Sequence, residues 1–183
     1  MPAVQARASR RVRLIFGCVA GVSVCVLAAT SLRSQTTSDA SARGTLRVRG
    51  NTGQTLELSD AQLRSLPGWR SVSVLDDRGQ RTRYEGIPLE EILSRAGTPH
   101  GDKLRGRALS LYVVVTAADG YRAVFALAEL DPDFTNRLVL LADRRDGHPL
   151  SRQEGPFRIV IPEEKRHARW VREVNHLEVR KAQ

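Results

Sequence analysis

The spacing of apolar and polar side chains divides this chain into two regimes. From Leu14 to Leu32 it is an apolar run with no charged residue, whereas beyond Gly44 the apolar positions recur with strand or helix periods. Leu46-Arg47-Val48-Arg49 and Leu56-Glu57-Leu58 alternate, and the Gly50-Asn51-Thr52-Gly53 between them predicts a hairpin. Ser59-Asp60-Ala61-Gln62 has capping-box spacing and predicts a short helix that Pro67-Gly68 ends. Ser71 to Leu75 alternates again, and Asp76-Asp77-Arg78-Gly79 turns the chain into Thr82-Arg83-Tyr84.

Pro88 then stands at a first-turn position, and Leu89, Ile92, Leu93 and Ala96 recur at i, i+3, i+4 and i+7. That spacing places all four on one buried helix face. Glu90 and Glu91 lie near the positive start of this helix, Arg95 near its end, and Gly97 closes it. Leu109–Thr116 is dense in β-branched residues and predicts a central strand, with Asp119-Gly120 turning into a partner strand from Tyr121 to Phe125. A helical piece is expected around Leu127–Leu130, a buried strand at Leu138–Leu141, and a loop at Asp146-Gly147 and Pro149. Phe157–Ile161, Trp170–Val174 and Leu177–Val179 are expected as further strands. The sum is eight or nine strands and two or three short helices, an α+β arrangement that is mostly β.

The apolar N-terminal run adds a separate organisation. It spans 19 residues behind Arg7, Arg10, Arg11 and Arg13, about 28 Å as a hydrophobic helix, so it reads as a signal peptide or a membrane anchor. Cleavage after Ala28 or Ser31 and retention as an anchor both remain open. Phe16 stands where a lipid anchor on Cys18 would have a small residue. Ser9-Arg10-Arg11-Val12-Arg13-Leu14 partly matches a twin-arginine signal, with Arg13 in place of the expected aromatic; a few positive charges before an ordinary signal is the favoured reading. The positive N-terminal flank keeps that end cytoplasmic and puts the remainder outside, periplasmic whether secreted or tethered. Residues 33–44 are rich in Ser, Thr, Ala and Gln and predict a flexible tether, leaving 45–183 as the folded domain.

Charge changes the picture less than its total suggests. The net charge is +9, but residues 1–43 contribute six basic and one acidic side chain, and the other 140 residues a net of only +4. With no block of like charge and few aromatics to stack on bases, nucleic acid is not an expected partner. Both cysteines, Cys18 and Cys25, lie in the apolar run, so the predicted domain has neither a disulfide nor a thiolate. His100, His148, His167 and His176 show no metal-ligand spacing, and no metal ligand is assigned; His148 and His167 are the two singled out. No Ser-His-Asp order, P-loop or dinucleotide glycine pattern stands out.

Four short stretches stand in a suggestive order: Tyr84-Glu85-Gly86-Ile87-Pro88-Leu89, Asp119-Gly120-Tyr121, Asp146-Gly147-His148-Pro149-Leu150, and Gly155-Pro156-Phe157-Arg158-Ile159-Val160-Ile161-Pro162. A Lys165–Val171 segment with His167, Arg169 and Trp170 follows. This series resembles the molybdopterin-binding domain of the sulfite-oxidase-like oxidoreductases over roughly Leu46 to Val179. The resemblance implies that family's mixed fold around a cleft holding molybdopterin. It also implies Asp119, Gly120, Tyr121, His148, Gly155, Pro156 and Arg158 as cofactor-binding candidates. In that family a cysteine thiolate bonds the metal from a loop corresponding to Val72–Arg83, and here that stretch has no cysteine. Asp76 or Asp77 would be a hard oxygen substitute with other metal preferences.

From the residues alone, Asp119-Gly120 and Asp146-Gly147 are first of all turns. Gly155-Pro156 is a tight entry to a buried strand, where glycine would also let a phosphate approach main-chain N–H groups. Arg158 alternates with Phe157 and Ile159 and so is expected to face away from the core, into solvent or a cleft. Glu163-Glu164-Lys165-Arg166 reads as a solvated turn. Two functions follow as expectations. One is a molybdopterin-dependent oxidoreductase-like domain, with a membrane redox partner in view. The other is a non-catalytic periplasmic module that recognises a small anionic ligand or a protein.

Overall fold

The computed structural model describes residues 44–75 and 78–183. The predicted leader and most of the predicted tether, together with Asp76 and Asp77, lie outside the described residues. Among the described residues no helix is long and apolar enough to cross a membrane. They form ten strands, two α-helices and four short 3-10 turns, a mostly β, α+β architecture.

The first sheet contains β1 (Thr45–Arg49), β2 (Thr55–Ser59), β5 (Leu111–Ala117), β6 (Arg122–Ala126) and β10 (Val174–Lys181), in the order β2-β1-β10-β5-β6. The hairpin expected at the start is present: Leu46 pairs with Leu58 and Val48 with Leu56. Its inner face is Leu46 and Val48, both buried, while Arg47 outside pairs with Glu57 at 2.8 Å. The last strand, β10, enters the middle of this sheet, parallel to β1 and antiparallel to β5.

The second sheet holds β3 (Arg70–Leu75), β4 (Arg81–Pro88), β7 (Leu140–Arg145) and β8 (His148–Pro149), with β9 (Arg158–Val160) also paired to β7. Strand β4 approaches β7 closely at Gly86, where a register shift occurs. A Cβ at Gly86 would collide with the Leu141 carbonyl, so the pairing needs glycine there.

Helix α1 (Asp60–Ser65) starts at Ser59 with both halves of the predicted capping box formed. Helix α2 (Leu89–Arg95) buries Leu89, Ile92 and Leu93, the face the periodicity marked. Pro88 is its N-cap and also the last residue of β4, one position earlier than expected. Leu46, Val113 and Leu177 from the first sheet, Ile87, Leu141 and Ile159 from the second, and the α2 leucines belong to one buried cluster. This shared core includes Val74 of β3 and Ile159 and Val160 of β9, the strands whose ends flank the site.

Two expectations are corrected. Trp170–Val174 is not a strand: His167–Arg169 is a 3-10 turn capped by Trp170, and Glu173 takes φ 52°, so regular pairing begins at Val174. Arg158 does not face outward. Although it alternates with Ile159, its side chain is 8% exposed, because Tyr84 and Trp170 cover the side that strand geometry leaves open.

Candidate functional site

After β9 the chain turns at Pro162, with the Glu164 amide donating to the Ile161 carbonyl at 3.1 Å. It then runs through exposed Lys165 and Arg166 to His167. This segment walls a groove of about 660 Å³ lined by Leu75, Gly79, Pro162, Glu164, Lys165, Arg166 and His167. The groove therefore lies between the end of β3 and the chain after β9. Lys165 and Arg166 give it a positive wall; Leu75, exposed at the opposite lip, gives it an apolar one.

Behind His167 the packing is aromatic and cationic. The His167 ring stacks on Trp170 at 3.8 Å, and Tyr84 meets Trp170 edge-on at 6.1 Å. The Arg158 guanidinium lies 5.5 Å from both the Tyr84 and the Trp170 ring centres. Its charge is balanced by Glu154, which also takes Arg145 Nη1 at 3.3 Å. Arg158 Nε and Trp170 Nε1 are buried with no hydrogen-bond partner among the described residues. These enclosed donors make the support polar.

The same segment is pinned from the other side. Arg169 Nε donates to Glu164 Oε1 at 2.8 Å, and Arg169 Nη1 lies 3.3 Å from Glu129 Oε1. Its guanidinium sits 4.6 Å from the centre of the Phe125 ring. Burial works against the Arg169 charge, but the Glu164 hydrogen bond and the Glu129 field outweigh it and raise the pKa above the ordinary arginine value. The Tyr121 hydroxyl adds a hydrogen bond to the Ala168 carbonyl at 2.8 Å.

A second groove, about 910 Å³, lies elsewhere and is lined in part by Asp60, Arg64, Asp143, Leu150, Gly155 and Pro156. Three of its charges, Asp60, Arg64 and Asp143, pair among themselves, and Arg152 stands exposed on the same lining. Arg64 Nη2 lies 2.6 Å from Asp143 Oδ2 and 3.2 Å from Asp60 Oδ2. Burial pushes the Asp143 carboxyl up, against the pull of Arg64.

The residues singled out in the sequence do not meet in one cleft. Asp119 Oδ1 accepts from the Tyr121 amide at 2.8 Å and Gly120 has φ +86°, so both shape the β5–β6 turn. Tyr121 and Arg158 stand behind the basic groove. Gly155 and Pro156, joined by a cis peptide, line the second groove. His148 is exposed in β8, opposite Arg145, and lines neither groove. Sequence reasoning passed over Glu154 and the binding role of Arg169, and it read Glu164 as part of a solvated turn, whereas its Oε2 is buried and its Oε1 is held by Arg169. The spacings Glu154 to Arg158 and Glu164 to Arg169 were visible, but not that a turn would close each pair.

A family model described as oxidoreductase molybdopterin binding domain matches residues 34–183. A search of curated proteins gives no match.

Proposed function

The chain belongs to the oxidoreductase molybdopterin-binding domain family, and from that premise we propose that residues 45–183 hold the anionic end of a molybdopterin-type cofactor in the basic groove. The carrying observation is that Lys165 and Arg166 stand exposed on one wall of a 660 Å³ groove, where a phosphate dianion would accept charge-assisted hydrogen bonds. Pro162 sets the turn that presents them, and the apolar lip at Leu75 offers a surface to a ring system. The residues thus suit the organic anion.

They do not suit the ion in the same way. No cysteine follows Cys25, and among the described residues no three His, Cys, Asp or Glu side chains gather where an ion could be held. Soft thiolate ligation is therefore not supplied by the domain, and no reaction step is assigned to molybdenum here. What these residues do is bind and orient: Lys165 and Arg166 neutralise the anion, while Trp170 and Arg158 support the wall behind it.

The missing thiol favours a second reading on the same groove, a non-catalytic module for a small anionic ligand or a protein partner. For either reading we place the domain outside the cytoplasmic membrane. Residues 1–32 are then a signal or anchor and 33–44 a tether, which would also bring a membrane redox partner within reach. The Arg-flanked apolar run supports this placement.

The test is to purify the full chain from a molybdenum-replete host and assay bound molybdenum and the fluorescence of oxidised pterin. Pterin should copurify and should be lost from the Lys165→Glu/Arg166→Glu double variant. Stoichiometric molybdenum alongside it would favour the oxidoreductase; pterin alone, the binding module. A folded chain carrying neither would overturn the cofactor reading.

A further inference from the structure

We propose that Arg169 is a positioning residue for the basic groove, holding the Glu164 carboxylate so that Lys165 and Arg166 stay available to a phosphate-bearing ligand. The proposal rests on the reading of the groove as an anion site and deepens it by naming what sets the groove's charge. Glu164 is an acid lining a groove whose neighbouring wall residues are basic. Left to itself, a carboxylate one and two positions from Lys165 and Arg166 would neutralise them. In the structure its Oε1 is instead taken by Arg169 Nε at 2.8 Å and Nη2 at 2.6 Å.

Arg169 cannot easily exchange this partner, because it is itself held. Its Nη1 contacts Glu129 Oε1 at 3.3 Å and donates to the Val124 carbonyl at 3.4 Å. Glu129 is fixed in turn by Arg137 at 3.0 Å and by the Ala126 amide at 2.9 Å. The planar fork lies against the Phe125 ring, a placement that suits arginine better than lysine. The Glu164–Arg169 pair thus removes one negative charge from the groove by internal pairing, within a segment that Tyr121 also ties down.

The experiment measures binding of inorganic pyrophosphate to the purified full chain by titration calorimetry. Arg169→Gln releases Glu164 and should weaken binding about five- to tenfold, the effect of one uncompensated charge beside the ligand. Adding Glu164→Gln to that variant should restore affinity to within about twofold of the parent, and Arg169→Lys should fall between. A merely structural role predicts that the double variant stays weak. Unchanged binding in Arg169→Gln, or no rescue by Glu164→Gln, overturns the proposal.

If the parent chain does not bind pyrophosphate, the anion-site reading fails on its own. The charge-setting role is then read by iodide quenching relative to acrylamide of a tryptophan placed on the groove's exposed lip by Leu75→Trp, in a Trp69→Phe background where the remaining Trp170 is buried and shielded from iodide. Arg169→Gln should lower that ratio and the added Glu164→Gln restore it. A ratio that ignores both substitutions sinks the role of Arg169.

Discussion

A buried guanidinium needs a counter-charge and flat surfaces, and Arg158 has both in Glu154 and the Tyr84 and Trp170 rings. Because Glu154 also meets Arg145, its loss would strand positive charge in the interior, a change that typically costs about 3–5 kcal/mol. His176 shows the opposite balance. It lies on β10 opposite Arg47 of β1, and its pKa is lowered from 6.5 by burial, with Arg47, Arg180 and Arg49 adding to the effect and Glu178 opposing it. The folded state therefore favours the neutral ring. The stability this provides is fully present above pH 6.5 and is lost as pH falls through the lower folded value. The melting temperature should accordingly drop between pH 7 and pH 5, with a shallower drop in His176→Gln. Parallel pH profiles for the two proteins would rule His176 out as a source of the acid sensitivity.

At the scale of elements, local signals settle the helices. Ser59 Oγ accepts from the Gln62 amide at 3.3 Å, and Gln62 Oε1 accepts from the Ser59 amide at 2.9 Å. Ser59→Ala should destabilise the fold by about 1 kcal/mol, read as a lower urea midpoint with unchanged slope; an unmoved midpoint would show that α1 is held by tertiary contacts alone. The capping box, the α2 apolar face and the first hairpin were legible because each depends on residues close in sequence. The tail after β9 was not. Trp170 resembled strand material because it is large and apolar next to valines, yet its place is fixed by contacts with Tyr84 and His167, one of them from a distant strand. Arg158 misled for the same reason, since alternation assigns a face but not what covers it. The candidate groove was legible only as a basic stretch, because its other lip, Leu75 and Gly79, lies more than eighty residues earlier in the chain.

For the molecule as a whole, the decisive connection is the return of the chain's last strand to its first. Strand β10 sits between β1 and β5, so the first sheet is not closed until the C-terminal residues have paired. Val174, Leu177 and Val179 carry that strand's share of the common core. At about 1.5–3 kcal/mol for each buried aliphatic side chain, their loss is comparable to the whole net stability of a domain, about 5–15 kcal/mol. It would also leave β1 and β5 with bare edges facing an empty strand position. A chain ended after Glu173 should therefore show no cooperative thermal transition by circular dichroism, whereas one ended after Lys181 should melt like the full chain. The groove should follow the same rule, because its wall lies between β9 and β10 and the Val174 amide donates to the Phe157 carbonyl at 2.9 Å. Cooperative melting of the shorter chain near the full-length temperature would show that β10 is an accessory strand, and the single-core account of this fold would fail with it.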